Sequence, residues 1–229
     1  MRAPSPRSGL RAIWFDLDGT LIDHFATLYQ CYRYALGKLN LPLPPPEVVR
    51  RNVGGSMEVT MRRFVDEAHV PEAAQLWRER LSQIYLDDVT LLPGARDLLR
   101  ALHERGLRLG VLTNKIGDYS RGITRHLGLD PFLDAVLGAN DTPYRKPQRE
   151  FSALALARFQ VTGDEACLVG DSPFDIEAAR SVGMRCACVT TGTHSRAELL
   201  AAGADSVHES LAKLGEREFG IRTAGTGVD

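Results

Sequence analysis

Cysteine is scarce in this chain and nowhere paired in a metal-binding pattern. The four present in 229 residues are Cys31, Cys167, Cys186 and Cys188. None forms a CxxC, and no paired histidines accompany them, which argues against a zinc site. Cys186 and Cys188 alternate within an apolar run and read as small core residues of a strand. A chain of this length needs no disulfide staples, so a reducing cytosol fits best. Long apolar runs are missing too. No window approaches the ~20 residues a membrane helix requires, and the opening MRAPSPRSGL lacks a signal-peptide stretch. The expectation is a cytoplasmic protein with no membrane partner. An excess of one charge is also absent: 28 basic against 29 acidic residues leave −1, so the basic footprint of nucleic-acid binding is not there. What the chain does have is apolar content, 44% of residues, enough to bury a core in one large domain or in one domain with a smaller insert.

The first nine residues are rich in Pro, Ser and Arg and read as a flexible terminus. Ala12-Ile13-Trp14-Phe15 is an apolar run that stops at Asp16 and reads as a buried strand. From His24 to Asp88 the periodicity is helical. Phe25, Leu28, Tyr29, Tyr32, Leu36 and Leu39 share one face, and further helices are expected over 57–68 and 72–86. Pro42, Pro44, Pro45 and Pro46 separate the first of these helices from the second, and no strand is expected in this stretch. After Pro93-Gly94, strand and helix patterns alternate. Strands are expected at 107–112, 135–137, 166–169, 185–189 and 206–207, with helices between them and a last short helix at 210–214. Such alternation implies parallel strands joined by right-handed crossovers. The tail from Glu216, rich in Gly and Thr, reads as frayed. The predicted organisation is an α/β sheet domain over 10–23 and 89–215, an all-helical insert over 24–88, and flexible termini at 1–9 and 216–229.

Open parallel sheets bind ligands at the C-terminal ends of their strands. The expected ends deliver Asp16 and Asp18, then Thr113 and Asn114, then Asp171 with Asp175 following, while a loop carries Lys146-Pro147. Carboxylates gathered at one sheet edge repel each other unless a cation intervenes. An all-oxygen set of this kind suits magnesium. A carboxylate can attack phosphorus once a metal and a lysine neutralise the phosphate. Asp16 is therefore the candidate nucleophile and Lys146 the fixed cation. Asp18 is placed to protonate the leaving oxygen and later to activate water, and Gly19 permits the tight turn this needs. Thr113 and Asn114 are candidate phosphate donors, and Asp171 and Asp175 are candidate metal residues, direct or through water. Gly54, Gly55 and Ser56 come after Arg50-Arg51-Asn52-Val53. They read either as a substrate-contacting loop or as a plain connection between helices.

Taken alone, Asp18-Gly19 is a common turn, and Asp171 with Asp175 is a common helix start. Taken together the residues resemble a family. Asp16-Leu17-Asp18-Gly19-Thr20-Leu21-Ile22-Asp23 resembles the first motif of the haloacid dehalogenase superfamily, and Leu112-Thr113-Asn114 its second. Lys146-Pro147 matches the third, and Gly170-Asp171-Ser172-Pro173-Phe174-Asp175 the fourth, in the family's order and spacing. The resemblance implies a Rossmann-like core forming a three-layer sandwich and a small helical cap inserted after the first strand. It also implies an aspartyl-phosphate on Asp16, and magnesium held by Asp16, the Asp18 carbonyl and Asp171, with Asp175 in support. The dehalogenases lack an acid at the position of Asp18, so phosphate chemistry is favoured. The stretch from Leu92-Pro93-Gly94 to Leu112-Thr113-Asn114-Lys115 is most similar to phosphoglycolate phosphatases.

The expected activity is hydrolysis of a small phosphomonoester by a monomer or homodimer. A phosphomutase of the β-phosphoglucomutase type and a pyrophosphatase remain alternatives, as does a catalytically idle binding subunit. His24 stands where the family carries a small hydroxyl residue, and it reads as a linker or packing residue at the junction of insert and core. Arg33, Arg50 and Arg51 read as surface charges.

Overall fold

β1 (Ala12–Phe15) carries four side chains that are all fully buried, which requires cover on both faces of its sheet. The computed structural model describes residues 9–53 and 57–221. After β1 the chain forms the two-residue strand β2 (Ile22–Asp23). It then enters helices α1 (Phe25–Lys38), α2 (Pro46–Arg50), α3 (Met57–Met61) and α4 (Val70–Ile84), with a short 3-10 helix over Glu67–His69. It returns through β3 (Thr90–Leu91), antiparallel to β2 with Ile22 opposite Leu91. Strand and helix then alternate: α5 (Ala95–Glu104), β4 (Arg108–Leu112), α6 (Gly117–His126), β5 (Ala135–Leu137), α7 (Arg149–Phe159), β6 (Ala166–Gly170), α8 (Pro173–Ser181), β7 (Arg185–Val189), α9 (Arg196–Ala202), β8 (Ser206–His208) and α10 (Leu211–Phe219).

The main sheet has the order β5-β4-β1-β6-β7-β8 and every pairing in it is parallel. Alternation along β1 separates two cores. Ile13 and Phe15 face a cluster with Leu98, Leu102, Ile123 and Leu214, from α5, α6 and α10. Ala12 and Trp14 face a cluster with Phe151, Phe159, Ile176 and Leu199, from α7, α8 and α9. The result is a three-layer α/β sandwich. Trp14 stacks on Phe159 at 4.3 Å between ring centroids. The same indole occupies the space a side chain would need at Gly110, where a Cβ would lie 2.4 Å from the ring. That explains a glycine in mid-strand. The helices α1 to α4 build a third core of their own, with Leu28, Tyr32, Leu36, Met61, Trp77 and Leu81 buried in it.

Three local expectations are corrected. The helix expected over 57–68 stops at Met61, and the chain turns so that Phe64 packs edge-on against Tyr32. Tertiary packing overrides periodicity there. Pro46 opens α2 rather than only breaking the chain, since proline suits the first turn of a helix. Strands β2 and β3 lie just outside 24–88, where the sequence pattern carries no expectation, and no strand forms among the described residues of 24–88 itself. The tail from Glu216, expected to be frayed, is instead helical to Phe219, with Phe219 and Ile221 buried in the first core. Gly215 lets α10 come close to α5: a Cβ there would lie 3.0 Å from Leu98 Cδ1.

A hydrogen-bonded pair ties α10 to β8. His208 Nε2 lies 3.1 Å from Glu218 Oε1. The hydrogen bond from His208, helped by Ser206 and Arg185 and opposed by burial, holds Glu218 at about 2, below its ordinary 4.5. Because the folded value is the lower one, this stabilisation is present above the unfolded value and is lost as pH falls from about 4.5 toward 2. The urea midpoint is expected to drop between about pH 5 and pH 3, and Glu218→Gln should show a smaller drop. Equal drops in both proteins would remove the pair from the account.

Candidate active site

β1 lies between β4 and β6: the chain runs from β1 to β4 and β5 on one side, then crosses to β6 on the other. A crevice forms outside the strand ends at such a point. Asp16 comes directly after β1, and its N–H donates to Val169 O. The chain then turns tightly: Gly19 N–H donates to Ile22 O at 2.9 Å, with φ +79° at Gly19. A Cβ on Gly19 would lie 2.9 Å from Asp171 Oδ2. Any side chain there would therefore enter the carboxylate cluster as well as strain the turn.

Lys146 is buried between two carboxylates. Its Nζ lies 2.9 Å from Asp16 Oδ1 and 2.7 Å from Asp175 Oδ1. Burial disfavours its charge, but the two aspartates outweigh burial and raise its pKa. The contact with Asp16 is a charged one between a buried ammonium and a carboxylate, and it lowers the pKa of Asp16 against the effect of burial. The loop bearing Lys146 is clamped by Asn114. Asn114 Nδ2 donates to Lys146 O at 3.1 Å, and Lys146 N–H donates to Asn114 Oδ1 at 2.8 Å. The Lys146-Pro147 bond is cis.

Asp175 has both carboxylate oxygens committed. Oδ1 meets Lys146, and Oδ2 accepts from the N–H groups of Asp171 and Ser172 and from Ser172 Oγ. It therefore braces Lys146 and the turn after β6, while also serving as a first-turn acid of α8. Asp171 is less engaged, accepting from Thr20 Oγ1 at 3.1 Å. Asp16, Asp171 and Asp175 each offer an oxygen within 4.8 Å of the others. Burial pushes Asp16 up to about 6, Lys146 pulling it down and Asp175 adding to the rise. Burial, then the charges of Asp16 and Asp175, push Asp171 well above the usual carboxylate range. A hard divalent cation suits this set. The donors are all oxygen, and their mutual repulsion is what a cation relieves.

Asp18 points to a second lysine that the motif spacing gave no reason to single out. Lys115 Nζ lies 3.0 Å from Asp18 Oδ2 and 2.9 Å from His24 Nδ1. Burial raises Asp18, but the charge of Lys115 and the contact with His24 more than offset it and hold the carboxyl well below its ordinary range. Burial and the Lys115 charge push His24 down. A neutral imidazole accepting at Nδ1 matches a lysine donor. His24 is thus more than a linker: it is the buried N-cap residue of α1 and it also orients Lys115. Thr113 Oγ1 accepts from Lys115 N–H, so its own proton is free to donate.

Asp16, Asp18, Thr113, Asn114 and Asp171 line one cavity, with Lys146 directly behind Asp16. Gly54, Gly55 and Ser56 lie outside the described residues. Val53 and Met57 on either side of them line the same cavity.

A family model described as haloacid dehalogenase-like hydrolase matches residues 13–189. A phosphoglycolate phosphatase of Chromobacterium violaceum is 33% identical over 217 residues, 90% of this chain and 95% of that protein. A tyrosine-protein kinase of Mycobacterium tuberculosis is 30% identical over 199 residues, 87% of this chain and 68% of that protein. Among solved structures, one described as a predicted phosphoglycolate phosphatase from Haemophilus somnus superposes with a TM-score of 0.84 at 25% identity. That superposition covers 91% of this chain and 97% of the other.

Proposed function

The chain belongs to the haloacid dehalogenase-like hydrolases and is a phosphatase of that family; from that premise we propose a magnesium-dependent, phosphoglycolate phosphatase-like hydrolase of a small phosphomonoester, with Asp16 as its nucleophile. The observation that carries this reading is the pairing of Asp16 with a buried lysine beside Asp171. A carboxylate held next to a fixed cation and a cation site is built to meet a phosphate.

Asp16, the backbone carbonyl of Asp18, and Asp171 would hold the magnesium, with Asp175 bracing the site. Bound there, the ion neutralises phosphate charge and lets carboxylates approach it. Lys146 Nζ, the Thr113 hydroxyl and the remaining Asn114 amide proton orient the phosphate oxygens. Asp16 attacks phosphorus in line and the bond to the leaving oxygen breaks. Asp18 gives that oxygen its proton. In the free protein Asp18 is ionised, and the arriving phosphate raises its pKa by like-charge repulsion. Asp18 then takes a proton from water, which attacks phosphorus and frees Asp16. Residues 10–23 and 89–215 act as the catalytic core in this reading. Residues 24–88 act as a cap that closes over the bound ester and opens for exchange.

The test is phosphate release with and without magnesium from 2-phosphoglycolate, pyrophosphate, β-glucose 1-phosphate and other esters. Release that chelation abolishes is expected, and recovery of an isomerised sugar phosphate in its place would make the enzyme a mutase. Magnesium at a hundred times its dissociation constant should stabilise the fold by about 2.7 kcal/mol, roughly 5–10 °C in melting temperature. Asp171→Asn should remove most of that shift. A full shift in that variant would move the ion elsewhere.

A further inference from the structure

The cavity over Asp16 has a volume of about 330 Å³ and extends from the sheet edge into the helical segment. Its two ends differ in chemistry. The floor is Asp16, Asp18, Thr113, Asn114 and Asp171. The far wall is mainly apolar, with Leu28, Tyr32, Trp77 and Leu81 extended by Val53 and Met57, and Glu58, Thr60 and Arg78 give it a polar margin. The first four belong to the core of α1 and α4 and are between 1% and 7% exposed. They are fixed by packing and cannot rotate away to present a polar face.

A two-carbon acid phosphate would occupy only the floor of this space. Its carboxylate would lie close to the phosphate, where it needs a cation. Of the two buried cations there, Lys146 faces Asp16 and Lys115 is already paired with Asp18. On the far wall Arg50 is stacked over Phe25 and Arg78 is paired with Glu58. Arg145 also lines the cavity, but it is exposed. Such a substrate would leave the apolar wall facing water. Cavities of roughly 300 Å³ and above with apolar walls and a few convergent polar groups hold larger, mostly apolar ligands.

Resting on the phosphatase reading above, we infer that the ester cleaved here has a bulky, ring-bearing apolar leaving group that packs against Leu28, Tyr32, Trp77 and Leu81 while its phosphate sits over Asp16. The wall recognises the alcohol, and the carboxylate floor performs the same hydrolysis whatever the alcohol is. Binding energy from this remote body orients the phosphate and raises kcat/KM.

The test compares 2-phenylethyl phosphate with ethyl phosphate and 2-phosphoglycolate in the presence of magnesium. The first two leaving alcohols have similar basicity, so their difference reports the ring. A kcat/KM about tenfold or more in favour of the phenylethyl ester over both others is expected from burial of a ring. Leu28→Gln should lower the phenylethyl-to-ethyl ratio. In parallel, binding of 2-phenylethylphosphonate and ethylphosphonate is measured by calorimetry, with the aryl compound expected to bind about tenfold more tightly. Preference for 2-phosphoglycolate would overturn this inference and leave the phosphatase reading standing. Absence of turnover with every ester would overturn the phosphatase reading itself. Equal affinity for the two phosphonates would then overturn the inference independently.

Discussion

Asp16→Asn is expected to lower magnesium-dependent phosphate release by about 10⁴-fold or more while leaving the fold intact. The amide nearly matches the carboxylate in size but cannot form an acyl phosphate. The surroundings make the variant a clean test. Asp16 is ionised there at a cost, its pKa standing at about 6 because burial and Asp175 disfavour the charge. Neutralising it relieves that cost. Lys146 keeps its 2.7 Å contact with Asp175, so no buried cation is stranded. The melting temperature in chelator should therefore be unchanged or slightly raised. Loss of activity with an unchanged melt assigns the chemistry to Asp16. Residual turnover within a factor of ten of the parent would move the nucleophile elsewhere.

Lys146→Met carries the largest stability effect. The lysine side chain is almost completely buried and neutralises Asp16 and Asp175 together. Removing one partner of a buried charged cluster typically costs about 3–5 kcal/mol, because the remaining charges are left uncompensated. A loss of that size is expected in urea unfolding measured in chelator, together with loss of phosphatase activity. Adding Asp175→Asn to Lys146→Met should recover part of the stability, since the two residues are in contact and their effects are not additive. A loss below about 1 kcal/mol would mean that the carboxylates take up protons or water at little cost.

The parts of the fold that are legible in the sequence are those where burial leaves an unmistakable local pattern. Ala12–Phe15 and Ala166–Gly170 are covered on both faces, and each reads as an apolar run ending in an acidic or glycine-acid pair. The polar residues at those ends, with Thr113 and Asn114 after β4 and Lys146 in its loop, are the ones the structure gathers, so Asp16, Asp18, Thr113, Asn114, Lys146, Asp171 and Asp175 can be nominated together. Lys115 cannot. Nothing in its spacing distinguishes it from a solvated lysine, and its role comes from a partner 97 positions away in sequence, Asp18. Strands β2 and β3 have two residues each and are paired across the whole helical segment, too short for any period to register. Helix α10 reads as ending early because the tail from Glu216 is rich in Gly and Thr. The place of Gly215 within it is visible only beside Leu98 of α5.

The β2–β3 pair has a further consequence, for how this architecture can be rebuilt. Ile22 and Leu91 sit opposite each other, so the helical segment leaves the sheet domain and re-enters it at neighbouring points. The free-energy cost of closing a loop between fixed ends rises only slowly with its length. The stretch between those two residues is therefore exchangeable in principle, as a cassette is. Helices of another number or length can be grafted at the same seam while β1, β4 and β6 keep Asp16, Thr113 and Asp171 at their ends, provided the contact of His24 with Lys115 is retained. Recognition and reaction then become separately inheritable, with a seam of four residues as the place where they must agree.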